Sequence, residues 1–495
     1  MSALAGDPHA AGGSSVLGGA PAGERPRVLV LGGGLAGIVA ALDCAEAGAE
    51  VALLEVRRRL GGAAYSFERD GLTLDNGQHV FLRCCRAYRA LLARLGSERL
   101  TTMQPRLRIP VLSPGGRPAL LRRGALPAPF HLAGALARYP HLRPARRLGA
   151  ARAALALARL DPNDPALEAR TLGSWLAGYG QDAAAVAALW DLVALPTMNV
   201  RAAEASLALA AFVFQTGLLA SNDAGDIGFH DAGLGEILDR PARHALRAAG
   251  VQVRLGWRAQ RLERDAGGFR AHGLEAAGAS CERAHAVVVA LPHQRAAALL
   301  EGLLAPTARA LRALPSSPIV NLHVLFDRRV CEQPFAAGVG TPVQYLFDRS
   351  RAAGAPPGCQ YLAVSLSGAD AEMKLSVAQL RERYLPAIAQ LLPQARTARV
   401  ERFVVTREHA ATFRAAPGVA ALRPAALTAV PGLVLAGAYT DTGWPATLEG
   451  AALSGHAAAR EVARALGLRR DGAGARTGST ATPRAGAAAQ EALAR

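Results

Sequence analysis

Residues 27 to 55 carry the clearest hydrophobic pattern: RVLVL, a run of glycines, LAGIVAALDCAEAGAE, then VALLE. Short continuous apolar runs bounded by turns read as strands buried on both faces, and the Ala-rich middle reads as a helix. From 140 to 224 the apolar positions recur at helical spacing, as in LGAARAALALARL and AAAVAALWDLVAL. Strand patterns return with VQVRLGW and AHAVVVALP, then SPIVNLHVLFD and QYLAVSLSG. A helical stretch around LRERYLPAIAQLL, the strand RVERFVVT, the strand LVLAG and a last helix close the chain. No fixed-period repeat is visible. The ends, residues 1–25 and 469–495, are small, polar and Gly/Pro-rich, and predict disordered tails.

This order predicts an α/β protein: a Rossmann-like nucleotide-binding domain from discontinuous segments, 26–110, 225–295 and 405–468. An α+β substrate domain would come from 111–224 and 296–404. A chain of 495 residues also exceeds the size at which one core stops growing.

Charge changes the picture only in part. The net charge of +17 rests almost wholly on arginine, since Lys374 is the sole lysine. Two readings stay open: a general bias toward Ala, Arg, Gly and Pro, or attraction to an anionic membrane leaflet. Nucleic acid is not expected, because no helix or ribbon interleaves aromatics with base-reading polar residues. Six cysteines without a CxxC pair predict neither a disulfide framework nor a metal site, and point to a reducing compartment, the cytoplasm. The N-terminal residues lack the basic region and apolar core of a signal peptide. No run of 18 uncharged apolar residues predicts a membrane span. The segment ALPAPFHLAGALARYPHLRPARRLGAARAALALARL (125–160) mixes apolar and Arg blocks. It suits either a peripheral element on the inner face of the cytoplasmic membrane or an internal lid.

Candidate chemistry starts at Gly32-Gly33-Gly34-Leu35-Ala36-Gly37, a GxGxxG turn directly after a strand and opening a helix. Gly32 permits the tight turn, Gly34 the approach of a pyrophosphate, and Gly37 close helix–strand packing. The helix N-terminus, with Leu35 and Ala36, offers amides to phosphate. Glu55 ends the next strand, where a carboxylate accepts ribose hydroxyls. Together these predict dinucleotide binding. Further candidates are Asp75-Asn76-Gly77-Gln78-His79, the pair Asp226 and His230, and the late stretch GAYTDTGWPATLEGA. His79 and Asp75 each have a structural reading, hydrogen-bonding histidine and turn carboxylate, beside a catalytic one. In the late stretch Gly437 marks close backbone approach. Pro445 suits a first helical turn, with the helix running from about Ala446 through Thr447 and its amides toward the cofactor.

Arg59-Leu60-Gly61-Gly62, following Glu55, resembles the E-x-x-x-R-x-G-G of the flavin amine oxidase and phytoene desaturase superfamily. DNGQH, LPAPFHLAGAL, LPTMNVRAAEAS, REHAATFRAAPG and TDTGWPAT look most like one branch, the hydroxysqualene dehydroxylases of hopanoid biosynthesis. The resemblance spans residues 27–465. It implies a glutathione-reductase-like, amine-oxidase-type fold and FAD, with Arg59, Gly61 and Gly62 at the phosphates and flavin. Ala259 is included among the cofactor-binding residues. It implies a long-chain isoprenoid substrate, loss of an allylic hydroxyl by hydride from reduced flavin, and squalene-pathway enzymes as neighbours. His79 or Asp75 would be the acid. Two positions depart from the pattern. Ala63 stands where an Arg is common, and Ala438 where an Asp is usual, with Asp441 as a substitute. A carotenoid desaturase, an FAD amine oxidase and a non-catalytic lipid-binding relative remain as alternatives.

Overall fold

The computed structural model describes residues 25–116 and 118–468. The expected tails lie almost wholly outside the described residues. Five strands, β1 (Arg27–Leu31), β2 (Glu50–Glu55), β3 (Gln252–Leu255), β4 (Ala286–Val289) and β5 (Leu433–Leu435), form one parallel sheet in the order β3-β2-β1-β4-β5. Val28, Leu29, Val30 and all of β4 are buried, which explains why these strands read as unbroken apolar runs rather than alternating ones. Each buried Val or Leu among them contributes roughly 1.5–3 kcal/mol relative to exposure. An antiparallel meander, Arg258–Asp265, Gly268–Glu275 and Gly278–Ala284, connects β3 to β4.

Helix α1 (Leu35–Glu46) packs on the closing helix α2 (Leu448–Ala465) through Ile38, Val39, Leu42, Ala452, Ala459 and Val462. Their backbones approach closely. A Cβ on Gly455 would sit 2.5 Å from the Ala36 carbonyl oxygen and 2.8 Å from the Val39 Cβ. The last helix therefore returns to the first, and brings the chain's late loop back to its first turn.

A second, seven-stranded sheet runs Val400–Phe413, Ser316–Phe326, Gln360–Ser367, Tyr345–Asp348, Phe335–Gly338, Arg108–Leu112, Ala119–Arg122. Side chains alternate across it. Val320, Leu322 and Val324 pack under the helix Val377–Leu391, which starts at a Ser376/Gln379 capping box. Asn321 and His323 take the other face, where they meet Asn76 and Phe67, residues that follow β2 of the parallel sheet and belong with it to the first lobe. Short helices, among them Pro144–Leu157, Asp191–Met198 and Leu207–Phe214, contribute to a core that includes Trp175, Trp190 and Phe214.

Three expected boundaries fall inside elements. The strand Val400–Phe413 pairs along almost the whole of Ser316–Phe326, so residues 405–413 stay in the second sheet. Arg108–Leu112 crosses the boundary at 110, and the helix His293–Leu300 crosses that at 295. The helix expected from Ala446 begins at Leu448. Thr447 is its N-cap, in extended conformation, with its hydroxyl accepting the Gly450 amide at 3.1 Å. Pro445 thus precedes the cap instead of occupying the first turn.

Candidate cofactor cradle and lobe junction

The first turn is built by glycines that have no alternative. Gly32 has φ +111°, and a Cβ there would lie 2.4 Å from the Ala290 carbonyl oxygen. A Cβ on Gly37 would lie 1.9 Å from the Gly32 carbonyl oxygen. Gly34 is the N-cap of α1 and supplies no side-chain cap, so the first-turn amides, Leu35 and Ala36 among them, are not taken up by a capping side chain. The Gly61 amide donates to the Gly33 carbonyl at 2.9 Å, and the Gly62 position would place a Cβ 2.8 Å from Gly34 Cα. The two glycine loops lie backbone to backbone.

Glu55 is buried and accepts the Gly33 and Arg57 amides, each at 2.7 Å. A carboxylate has about four lone-pair sites, so acceptor capacity remains for hydroxyls. The Arg59 guanidinium stacks 3.6 Å above the Tyr65 ring and donates from Nη1 to the Gly62 carbonyl at 3.0 Å. Burial, then the neighbouring Arg57, push its pKa down. Its Nη2 is buried and has no hydrogen-bond partner among the described residues. Open helix amides, an orphaned guanidinium nitrogen and a spare carboxylate are the donor and acceptor set that a dinucleotide's phosphates and ribose require. Ala63, exposed beside them, adds no charge.

Ala259 lies at the start of the meander, half-buried, at a bulge opposite Gly273. Its neighbour Trp257 donates its amide to the Glu55 carbonyl at 2.9 Å, so this strand adjoins the acid end of β2.

The late loop is folded on itself. Gly437 has φ +148°, and a Cβ there would collide with the Tyr439 ring at 2.4 Å. Its amide donates to Ser454 Oγ of α2 at 2.8 Å. Arg423, which sequence reading missed, is buried and donates to the carbonyls of Tyr439, Thr440 and Trp444. It staples residues 439–444. Asp441 is half-buried in this loop, with its amide on the Pro424 carbonyl at 2.8 Å. Pro445 is buried, and Ala446 and Thr447 are half-buried. Nothing in LRPAALT distinguishes a buried stapling Arg from a solvated one.

The DNGQH turn sits where the lobes meet. Asp75 is buried. Its Oδ1 accepts from Ser66 Oγ at 2.6 Å and the Leu234 amide at 2.9 Å, and its Oδ2 pairs with Arg349 at 3.1 Å. Arg349 also donates to the His230 and Ala232 carbonyls. Asp75 is therefore a strut between lobes, with both oxygens in use.

Asn76 is the hub. Its amide nitrogen donates to the Ala63 carbonyl and to Glu408, each at 2.9 Å, and Glu408 also accepts from the Tyr65 hydroxyl at 3.3 Å. The Asn76 carbonyl accepts from Asn321 at 3.0 Å and from Thr406 at 2.9 Å. Thr406 having given its proton to Asn76, its oxygen accepts from His323 Nε2, and His323 Nδ1 then accepts from the Tyr361 hydroxyl. Burial lowers the His323 pKa to about 4.

His79 donates from Nδ1 to the Gly77 carbonyl at 3.0 Å, and its Nε2 makes no hydrogen bond among the described residues. Burial lowers its pKa, with the Gly77 bond opposing. His230 is structural: Nδ1 donates to the His79 carbonyl at 2.9 Å, and Nε2 accepts from Tyr88 at 2.7 Å. Asp226 is fully buried, accepting from Arg123, Arg83 and the Leu107 amide, and is likewise a strut. Beside His79, Val80 joins an apolar cluster in which the Phe229 and Phe335 rings lie 5.0 Å apart and Phe335 stacks on Phe347.

Parallel sheet, glycine cradle and interlocked second lobe define an FAD-dependent oxidoreductase with the amine-oxidase-type fold. The chain belongs to the flavin-containing amine oxidoreductase family, whose model matches residues 35–463. Among solved structures, a putrescine oxidase triple mutant superposes with TM-score 0.69 at 18% identity, covering 89% of this chain and 99% of that one. Cyclohexylamine oxidase from Brevibacterium oxydans gives 0.67 at 19%, covering 90% and 100%. These share the fold. Closer in sequence are hydroxysqualene dehydroxylases. That of Rhodopseudomonas palustris is 30% identical over 442 residues, 87% of this chain and 97% of its own, and that of Sinorhizobium fredii is 30% identical over 440. A zeta-carotene desaturase of Arabidopsis thaliana is 24% identical over 485 residues, 89% of this chain and 86% of its own.

Proposed function

We propose that the protein removes the allylic hydroxyl of hydroxysqualene to give squalene, as a step toward hopanoids. One observation carries this reading: 30% identity extends over 97% of two hydroxysqualene dehydroxylases, against 24% for the carotenoid desaturase. Held in this cradle, reduced FAD would supply the hydride that replaces the hydroxyl. With one proton, the alcohol and hydride become hydrocarbon and water.

The chain's own residues have four tasks in this reading. The α1 amides, Gly61, Gly62 and Arg59 hold the phosphates, and Glu55 takes ribose hydroxyls. The loop around Gly437, with Asp441 in place of the usual Asp at 438, and the α2 N-terminus behind Thr447 close the far side of the cradle. The aromatic and aliphatic cluster beside Val80 keeps water from a carbon that loses its hydroxyl. His79 gives the proton from Nε2, and Asp75 and Arg349 fix the turn that carries it. The His79 pKa is lowered from 6.5, so the protonated ring is lost below that pH, and the rate falls as pH rises through this acidic range. A water-insoluble substrate also favours action at the inner face of the cytoplasmic membrane, peripherally. Among the described residues no helix is long and apolar enough to cross a membrane.

The test is anaerobic incubation of the flavin-bearing protein with hydroxysqualene and a reductant, with squalene measured across pH. Squalene formation, with the pH dependence lost in His79→Gln, is expected. Oxidation of phytoene without squalene formation would replace this reading by a desaturase.

A further inference from the structure

We infer that residues 122–152 form a face that docks on an anionic phospholipid bilayer. The inference rests on the reading above, in that an isoprenoid substrate resides in such a bilayer. It adds which surface meets the lipid and what lipid charge that surface selects.

Three observations converge. First, large exposed hydrophobic side chains are concentrated here: Leu126 is 56% exposed, Phe130 51% and Leu148 65%. The other large exposed ones, Val56, Leu274, Val377 and Leu427, are scattered along the chain. Isolated exposed apolar residues need no explanation, but a group within one segment marks an interaction surface.

Second, these side chains are presented rigidly. The loop bearing Leu126 and Phe130 is closed by the Gly124 amide on the His131 carbonyl, and tied down by the Ala128 amide on Asn222. Arg123 anchors its start to buried Asp226 at 2.7 Å, and His131 is buried beneath it. Arg147 joins the short helix Ala133–Ala137 to the helix Pro144–Leu157 by donating to the Ala137 carbonyl at 2.6 Å and the Leu142 carbonyl at 2.9 Å. Leu126 and Phe130 are held outward by a fixed backbone, so docking needs no ordering of the loop.

Third, the charge of the segment has one sign. From Arg99 to Leu160 the sequence holds no Asp or Glu. Arg122, Arg138 and Arg152 are exposed in the same segment, and among the described residues none of the three makes an ion pair. Exposed apolar side chains interspersed with unpaired guanidinium groups fit an acyl layer under anionic headgroups, with long Arg stems reaching back to the phosphates. Asp182 approaches the segment from outside and pairs with Arg146 at 2.8 Å, so the excess positive charge rests on Arg122, Arg138 and Arg152.

The test is co-sedimentation of the flavin-bearing protein with vesicles of phosphatidylcholine alone or with phosphatidylglycerol added. Binding at least about tenfold stronger to the anionic vesicles is expected, weakening with salt. Leu126→Ser/Phe130→Ser/Leu148→Ser should lower it about tenfold or more. Arg122→Gln/Arg138→Gln/Arg152→Gln should remove the preference for anionic vesicles while leaving residual binding. Conversion of detergent-dispersed hydroxysqualene should stay unchanged in both variants. Binding equal to wild type in both variants overturns the docking face. So does a patch-dependent dimer in light scattering without vesicle binding, which would make a second copy the occupant. Failure of the wild type to convert hydroxysqualene, with vesicle binding intact, would sink the reaction and leave the face standing.

Discussion

The cradle and the junction are both needed to make one site, yet they are built differently. The cradle is backbone: Gly32, Gly34, Gly37, Gly61 and Gly62 interlock within 31 residues, and a side chain at Gly32, Gly37, Gly61 or Gly62 would break it. The junction is side chain: Asn76 reaches Glu408 across 332 positions, and Asp75 reaches Arg349 across 274. A backbone site of this kind has almost no room for a Cβ but is indifferent to charge. A side-chain site tolerates volume changes but fails when one partner of a buried pair is lost.

The difference is largest under substitution of the cradle. Gly37→Val puts a branched side chain where even a Cβ would meet an oxygen at 1.9 Å. Strand and helix cannot part without breaking the first turn. FAD content, read as flavin absorbance per mole of protein, should fall essentially to zero. A yellow Gly37→Val protein would show that the turn can yield. At the junction, Arg349→Met leaves Asp75, 6% exposed, without its ion-pair partner. Removing one member of a buried pair costs about 3–5 kcal/mol. Denaturant unfolding should show that loss while folded Arg349→Met still carries flavin. Loss below about 1 kcal/mol would mean that Asp75 is sufficiently served by Ser66 and the Leu234 amide.

The same contrast decides what could be read in advance. The GxGxxG turn, Glu55 and Arg59 were legible because backbone proximity demands glycine at fixed spacing, and spacing is visible in one dimension. Arg349, Glu408, Asn321 and Arg423 were not. Their roles depend on which face of a strand or loop they occupy once remote segments pair, and a buried Arg looks like any of the many exposed ones. REHAATF stands out as a motif, but its place in the second sheet follows from pairing with SPIVNLHVLF, which no local pattern states. Asp75 reads in the sequence as a candidate acid, and the geometry shows a residue whose oxygens already serve three donors.

Acid sharpens the comparison further, since the cradle has no histidine and the junction is framed by three. Burial lowers the His230 pKa from 6.5 to about 3. The unfolded chain takes up this proton near pH 6.5, the folded chain only near 3, so the contribution is present above 6.5 and is lost as pH falls toward 3. By pH 5 the loss from this one residue is about 2 kcal/mol. His230→Gln should flatten the fall in unfolding free energy between pH 7 and 5 by about that amount, relative to wild type at each pH. An equal slope in both proteins would assign the acid sensitivity to other groups, His323 first.

The smallest effect probes the seam where the late loop enters the cradle. Two residues compete for the start of α2. Pro445 has the fixed φ that suits a first helical turn, and Thr447 has the hydroxyl that suits a cap. The geometry decides for Thr447, whose Oγ1 accepts the Gly450 amide at 3.1 Å. Thr447→Ala should therefore cost about 1 kcal/mol in unfolding, and Thr447→Ser almost nothing, because Ser keeps the acceptor. Pro445→Ala should cost less than Thr447→Ala, since no helical φ is being held there. Were Pro445→Ala the costlier change, the helix would begin where the sequence alone suggested, and the amides offered to the cradle would be those of Ala446 and Thr447 instead of Leu448 and Glu449.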